Sequence, residues 1–190
     1  MSSCESLSTP TVLGIFFDIN HHAKPMNTLI QLHADIDARI NTIRTHHDWQ
    51  CKMGCDSCCH RLASIPSLTR MEWKWLCIGL TNLSPDILHD ITQAMTELST
   101  SSKSLITCPM LDKSQGLCRV YEYRPIACRT YGYYVEHDKG LYCQEILEQV
   151  EKGLLQTVIW GNQKGIDRQL KALGERKDLT QWFAEWKRPV

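Results

Sequence analysis

The chain has 190 residues, of which 43% are hydrophobic and 22% are charged, the composition of an ordinary globular protein that can bury a core. Lysine plus arginine and aspartate plus glutamate number 21 each, so no basic field attracts nucleic acid or an anionic membrane. The longest apolar runs, such as VLGIFF and WLCIGL, are far shorter than the ~20 residues that span a bilayer. We therefore expect neither nucleic acid nor a membrane as a partner.

The stretch before the first predicted helix, MSSCESLSTPTVLGIFFD, lacks the features of an export signal. It has no positively charged start, it carries Glu5, and its apolar run ends at Asp18, whereas a secretory signal has a basic start and an uninterrupted apolar segment. We therefore expect a cytoplasmic protein, in a compartment where thiols stay reduced. Residues 1–24 are expected to form a loosely ordered extension.

Apolar residues recur at steps of three and four along most of the following chain, which predicts amphipathic helices. The first helix follows Pro25 and reaches about Thr45. The second covers residues 70–81, because Thr69 and Glu72 stand in the relation of a capping box. Four more are predicted in chain order: one after Ser84 that buries Leu88, Ile91, Met95 and Leu98; one from near Leu141 that buries Ile146, Leu147, Val150 and Leu154; a short one through Leu170 and Leu173; and a last one capped by Asp178 and Gln181.

The sequence contains no run of alternating strands, no internal repeat and no low-complexity tract beside these helices. The predicted fold is therefore mainly α, and indeed all-α: a small helical domain whose cysteine-rich loops gather around a metal centre. We assign this metal-binding domain to residues 25–160. A helical extension, residues 161–190, is expected to pack on it.

The chain contains ten cysteines, and four of them lie within nine positions in CKMGCDSCC. A disulfide framework is the usual meaning of such density in a small secreted chain. It disagrees with a reducing cytoplasm, and neighbours such as Cys58 and Cys59 cannot pair with each other without strain. A lone buried cysteine is a small hydrophobe, which suits Cys77 in its apolar helix, and Cys4 lies in a polar tail. These readings leave eight cysteines unexplained.

Metal binding explains the remaining eight cysteines best. Close spacing lets a short loop wrap a metal, because thiolates must converge to ~2.3 Å from zinc. A second group further along the chain can complete the shell, so that the metal ties the two segments together. The candidate ligands are Cys51, Cys55, Cys58, Cys59, Cys108, Cys118, Cys128 and Cys143.

The segments CKMGCDSCC and CPMLDKSQGLCRVYEYRPIACRTYG, followed by Cys143, resemble the YkgJ-type cysteine-cluster family, which is described as a zinc- or iron-chelating domain with a CxxCxxCC motif. The positions that match the second half of the family pattern are Cys108-Pro109, Leu111, Cys118, Val120-Tyr121, Arg124-Pro125 and Cys128-Arg129. The resemblance covers about half of the chain. It implies a metal centre and no particular reaction.

The identity of the metal and the number of centres stay open at this point. Thiolates suit both Zn²⁺ and iron–sulfur clusters, and eight thiols could form two four-sulfur sites or one site with further cysteines beside it. The adjacent Cys58 and Cys59 point in different directions and fit one small ion poorly, which favours a cluster or two centres. The resemblance adds that the domain occurs in flagellin lysine methylases similar to iron–sulfur enzymes. We therefore predict an iron–sulfur cluster ahead of zinc.

Side chains near the cysteines suggest two classes of function. Arg124 and Arg129 could hydrogen-bond cluster sulfurs or an anionic substrate, or they could pair with Glu122 or a backbone carbonyl. Tyr121 and the tyrosines after it are expected to cover the metal site. The first class is a metal-binding protein of unspecified activity that contacts a protein partner. The alternative is an iron–sulfur-dependent group-transfer enzyme that modifies a protein substrate, similar to flagellin lysine methylase.

Overall fold

The structure is a computed structural model that describes residues 19–100, 106–137 and 139–186. The helices are α1 (Ile19–His46), α2 (Ser57–His60), α3 (Arg70–Thr81), α4 (Pro85–Thr100), α5 (Ile126–Thr130), α6 (Gln144–Glu151), α7 (Gln163–Leu170) and α8 (Leu179–Glu185). The strands are β1 (Ser67–Thr69), β2 (Leu111–Asp112), β3 (Leu117–Cys118), β4 (Tyr134–Glu136), β5 (Lys139–Leu141), β6 (Gly161–Asn162) and β7 (Arg176–Asp178). Most of the extension expected at residues 1–24, and Cys4 within it, lie outside the described residues.

The prediction of a mainly α, all-α fold is wrong. Within the described ranges, seven strands pair into three small sheets: β1 with β7, β2 with β3, and β5–β4–β6. Each strand has only two or three residues, which is too short for the alternating pattern that reveals a strand in a sequence. One pairing is also remote along the chain, since Ser67 lies opposite Asp178. The fold is a set of helices whose connecting segments are held by short paired strands.

The long helices follow the sequence pattern where a local signal defines their ends. α3 has the predicted bounds, and the main-chain N–H of Thr69 donates to the Glu72 carboxylate at 2.8 Å, as a capping box requires. α1 begins earlier than predicted, so that Pro25 lies inside it. The predicted fourth helix ends before Leu154, which is 61% exposed instead of buried.

The buried apolar side chains of the described residues form two cores. The first core is built on α1 and α7, and the α1 side chains in it are Leu29, Leu32, Ile36, Ile40 and Ile43. The second core joins α3, α4 and α8, where Trp73 stacks on Trp182 with ring centroids 6.3 Å apart. Cys77 packs in the second core at 3% exposure and is disulfide-bonded, so its reading as a lone small hydrophobe is wrong. Each fully buried Leu or Ile contributes about 1.5–3 kcal/mol of stability.

Residues 161–186 take part in both cores. Ile166 and Leu170 of α7 lie in the first core, and Leu179 and Trp182 of α8 lie in the second. The indole N–H of Trp182 also donates to the carbonyl of Leu68 at 2.9 Å. The domain boundaries given above stay a prediction.

A helix must be long and apolar throughout to span a membrane. None of the described helices combines the length and the apolar character needed to cross a bilayer.

Candidate metal centre

One cavity of about 300 Å³ brings the predicted cysteines together, since all eight of them line its wall. Every one of these eight is a free thiol with intermediate exposure. Cys51 and Cys143 pack against the first core. Cys108 and Cys118 pack against the second core. The cavity therefore lies where the two cores meet the cysteine-bearing loops.

The loop before α2 and α2 itself each carry two of the cysteines. The N–H of Cys55 donates to the carbonyl of Lys52 at 3.0 Å, and Gly54 takes a φ of +90° in this turn, a conformation that glycine adopts without steric cost. α2 is a single turn in which the N–H of Cys59 donates to the carbonyl of Asp56 at 2.8 Å. Successive helical residues are rotated by about 100°. Cys58, which precedes Cys59, therefore leaves the backbone in another direction.

The hairpin of β2 and β3 holds two further cysteines against this loop. The N–H of Cys108 donates to the carbonyl of Cys59 at 2.7 Å. The N–H of Leu111 donates back to the carbonyl of Cys108 at 3.1 Å, and Leu111 lies opposite Cys118 in the ladder. The hairpin turn is closed by Asp112, whose carboxylate accepts from two groups of Ser114. Local main-chain bonds thus set the relative position of Cys59, Cys108 and Cys118.

Two other segments complete the cavity wall, one with Cys128 in α5 and one with Cys143 at the N-terminus of α6. The start of α5 is fixed by the buried Glu72, whose carboxylate accepts from the N–H of Ile126 at 3.0 Å. Cys143 directly precedes α6 as its N-terminal cap residue. The next turn is tied to the cysteine loop, because the Ser57 hydroxyl donates to the Glu145 carboxylate at 2.7 Å.

The segment between α5 and β4 passes close to Cys51. The thiol of Cys51 lies 3.9 Å from the carbonyl oxygen of Tyr131. The following residue, Gly132, has a φ of +87°, and a Cβ atom there would lie 3.1 Å from the sulfur of Cys51. Glycine at this position therefore lets the main chain approach the thiol.

The two arginines beside Cys128 have different partners. Arg129 is 7% exposed, and its guanidinium donates to the Asp37 carboxylate at 3.2 Å and to the carbonyls of Glu122 and Arg124. The guanidinium of Arg124 instead lies 3.5 Å from the ring centroid of Tyr121. Its Nε donates to the carbonyl of the same tyrosine at 2.8 Å. The guanidinium of Arg129 is thus occupied by a carboxylate and by main-chain carbonyls. Arg124 and Tyr121 instead contact each other at the cavity wall.

Sequence reasoning missed a third arginine at the cavity, Arg44 in the last turn of α1. Its Nε donates to the Tyr133 hydroxyl at 2.8 Å, and its Nη2 donates to the carbonyl of Cys51 at 3.0 Å. The Tyr133 hydroxyl donates to the same carbonyl. Arg44 belongs to no motif, and a basic residue at a helix C-terminus is ordinary, so the sequence carried no signal of this role.

The surroundings of several cavity thiols raise their pKa values. Burial raises the pKa of Cys51 and of Cys128 to about 12 each, and that of Cys143 to about 11. A hydrogen bond that the thiol of Cys59 donates to Cys108 raises the pKa of Cys59 to about 12. Because a metal binds the thiolate form, its binding must release these protons.

The donor chemistry of the cavity fits a thiophilic metal. Thiolates are the preferred ligands of zinc and of iron–sulfur clusters, and eight of them line one cavity. In the part of the chain that the structure covers, no three His, Cys, Asp or Glu side chains meet closely enough to hold an ion. A metal held by three or more of the thiols would therefore have to draw them closer together. Their assignment as ligands stays a prediction.

Comparison with known proteins bears on the same segment. Residues 50–146 match the CxxCxxCC family model, which describes a zinc- or iron-chelating domain. This range contains every cysteine of the cavity. No curated protein and no solved structure matches the chain.

Proposed function

Because the matched range of residues 50–146 covers half of its length, the chain belongs to the CxxCxxCC family of zinc- or iron-chelating domains, and we propose that its eight cavity cysteines are the ligands. The resemblance to such a family inferred from the motifs alone is confirmed. The function of the chain is thus the binding of a metal by a cysteine cluster.

The observation that carries this proposal is the common cavity of eight free thiols. They come from the loop before α2, from α2 itself, from the hairpin, from α5 and from the start of α6. Packing alone gives no reason for thiols from five separate segments to face one space, because a buried cysteine otherwise acts as an isolated small hydrophobe.

We favour an iron–sulfur cluster over zinc as the resident group. Eight thiols exceed the four that close a structural zinc site. A cluster bound here would supply electron-transfer or Lewis-acid chemistry, whereas zinc would supply a cross-link. Arg44 and Arg124 of the cavity wall would offset the negative charge of the thiolates, as outer groups do at metal sites. The proposal requires a reducing compartment such as the cytoplasm, in which the eight cavity thiols stay available for a metal.

The test is the metal content and the visible spectrum of the full chain purified without oxygen. We expect iron and sulfide in fixed ratio to the protein, together with sulfur-to-iron charge-transfer absorption. A colourless protein with stoichiometric zinc would keep the metal site and remove the cluster. A folded protein that takes up neither metal, even when reduced and supplied with iron, sulfide or zinc, would refute the proposal.

The matched variants are Cys55→Ser and Met53→Ser, two changes in the same loop. Met53 is 60% exposed, so its replacement alters the loop without removing a thiol. We expect Met53→Ser to bind as much metal as the wild type and Cys55→Ser to bind less.

A further inference from the structure

We propose that the cavity wall contains a binding site for an oxyanion, the carboxylate or phosphate group of a small organic molecule, beside the thiols. The side chains that form this oxyanion site are Arg44, Tyr121 and Arg124, all of which line the cavity. The inference goes beyond the proposed function, because metal binding requires only the thiols. It rests on that function only in placing a metal next to the bound molecule.

Tyr121 and Arg124 form one side of the oxyanion site. The guanidinium carbon of Arg124 lies 3.5 Å from the ring centroid of Tyr121, and its Nε donates to the carbonyl of the same tyrosine at 2.8 Å. The stacking and the hydrogen bond together hold the guanidinium in one orientation. They occupy only the N–H of Nε. Among the described residues, the N–H groups of Nη1 and Nη2 of Arg124 have no acceptor.

Arg44 contributes the second guanidinium. Its Nε donates to the Tyr133 hydroxyl at 2.8 Å, and its Nη2 donates to the carbonyl of Cys51 at 3.0 Å. The same guanidinium interacts with the hydroxyl of Tyr121. An arginine has more N–H groups than these contacts use. The guanidiniums of Arg44 and Arg124 therefore both contact Tyr121, and both retain N–H groups that can donate to a ligand.

The positive charges of these two arginines are not neutralised by the protein. Within the described ranges, neither Arg44 nor Arg124 forms an ion pair with a carboxylate, whereas Arg129 of the same wall pairs with Asp37 at 3.2 Å. The neighbouring thiols are weak acceptors. Carboxylate and phosphate oxygens, by contrast, accept the paired hydrogen bonds that a guanidinium donates. An oxyanion therefore supplies both the missing charge and the missing acceptors.

The scaffold of the oxyanion site is formed by contacts within the protein. Arg129 joins Asp37 of α1 to two main-chain carbonyls of the turn after Tyr121. Asp37 and Arg44 lie two helical turns apart, on the same face of α1. The Arg129 contacts thus hold the turn of Tyr121 against the face that carries Arg44. Arg44 is exposed and Arg124 is half-buried, so an anion in solution can reach both.

The first experiment is calorimetric titration of the full chain with inorganic phosphate and, separately, with acetate. It is done on metal-loaded and on metal-free protein, with sodium chloride holding the ionic strength constant. We expect saturable binding of one anion per chain. The anion that binds more tightly shows whether the site suits a phosphate ester or a carboxylic acid. Absence of saturable binding of both anions, in both forms of the protein, would overturn the inference.

The second experiment repeats the titration with four variants that retain their helical circular dichroism. Arg44→Gln and Arg124→Gln should each weaken binding about tenfold, because each removes charge-assisted hydrogen bonds. Arg124→Lys keeps the charge and loses the planar fork, so it should also weaken binding. The matched control is Arg39→Gln, which removes a charge from α1 at a side chain that contacts the carbonyl of Ile159 instead of the cavity.

Arg39→Gln should bind the anion as the wild type does. Equal weakening by Arg39→Gln and Arg44→Gln, or wild-type affinity in Arg124→Lys, would show that only the net charge matters and would overturn the site. Metal analysis of the same samples separates this inference from the proposed function. A chain that binds the anion and no metal would refute metal binding alone. A chain that binds metal and neither anion would refute the oxyanion site alone.

Discussion

The side chains of Arg124 and Arg129 lie on either side of Cys128 in the sequence and have different surroundings in space. Arg129 is enclosed by Asp37 and two main-chain carbonyls. Arg124 stacks on Tyr121 at the cavity wall. Two arginines of one motif therefore have different roles, and the difference is visible only when the partners from α1 and from the turn before α5 are in place.

Replacement of these two arginines should separate stability from metal binding. Arg129→Gln should lower the free energy of unfolding of the metal-free protein by about 1–3 kcal/mol, because it breaks a buried pair whose partner, Asp37, is half exposed. Arg124→Gln should change this energy little and should weaken metal retention against a chelator. Urea unfolding and chelator competition measure the two effects. Equal effects of the two changes on both measurements would contradict the assignment.

His33 is the buried side chain whose protonation should affect stability most clearly. It is 7% exposed, its Nε2 has no hydrogen-bond partner among the described residues, and its ring meets that of Trp75 edge-on at 5.8 Å. Burial, followed by the nearby charge of Arg129, lowers the pKa of His33 to about 4. Below about pH 6.5 the unfolded chain therefore takes up a proton that the folded protein excludes until about pH 4.

The folded state should consequently lose stability as the pH falls through this window, by up to about 3 kcal/mol. His33→Leu removes the group and should flatten this part of the stability curve. The measurement is urea unfolding of both metal-free proteins from pH 7 to pH 4. The difference between the two curves isolates His33 from the carboxylates, which titrate in both proteins. Parallel curves would contradict the prediction.

Among the secondary-structure elements, the junction of β1, α3 and α5 depends on one carboxylate. Glu72 is 2% exposed. It accepts hydrogen bonds from the N–H and the hydroxyl of Thr69, both at 2.8 Å, and from the N–H of Ile126 at 3.0 Å. The capping-box partner of Thr69 therefore also positions α5, which carries Cys128 at the cavity.

Glu72→Gln should lower the free energy of unfolding by about 1–3 kcal/mol, since an amide cannot accept all three hydrogen bonds and leaves a buried donor unpaired. Glu151→Gln, at the exposed end of α6, is the matched control and should have little effect. Thermal or urea unfolding of the two variants compares them. Equal free energies of unfolding for the two variants would contradict the role of the Glu72 carboxylate at this junction.

The elements that the sequence revealed are those defined by local signals. The Thr69–Glu72 capping box gave the bounds of α3 because its two partners are three residues apart. α2 and α5 have four and five residues, too few for a helical period to be recognised. The ladder of β1 and β7 joins residues about 110 positions apart, and no local pattern encodes such a pairing.

The candidate site, too, could be predicted from the sequence only where its signals are local. The spacing of the cysteines and the Cys-Pro and Arg-Pro elements indicated which thiols belong together. They could not indicate Arg44, whose contact with Tyr133 spans 89 positions.

Over the whole molecule, the cavity is the place where the two cores are connected through the cysteine loops. Residues 51–59, all of them described, include no buried side chain, and main-chain bonds hold them to their neighbours. Ligands that draw together around a metal add their binding free energy to the stability of this region. The helices around the cores have apolar stripes of their own and do not depend on it in the same way.

Loss of metal should therefore affect the loops before the helices. Cys55→Ser and Cys128→Ser should lower metal content and increase proteolytic cleavage within residues 106–137, while most of the helical circular dichroism is kept. Limited proteolysis with mass-spectrometric mapping measures the first effect. Met53→Ser is the control and should resemble the wild type. Cleavage concentrated in α1 or α4 would contradict this order of unfolding.

The ladder of β1 and β7 has a consequence for the newly made chain. A ribosome releases all eight cysteines before it releases β7 and α8, because synthesis proceeds from the N-terminal end. At that stage β1 has no partner strand, and the second core still lacks Trp182 and Trp186. The thiols are thus exposed to solvent before the second core beside the cavity is complete. Residues 176–186, which are translated after every cysteine of the cavity, therefore decide when the cavity acquires its permanent shape.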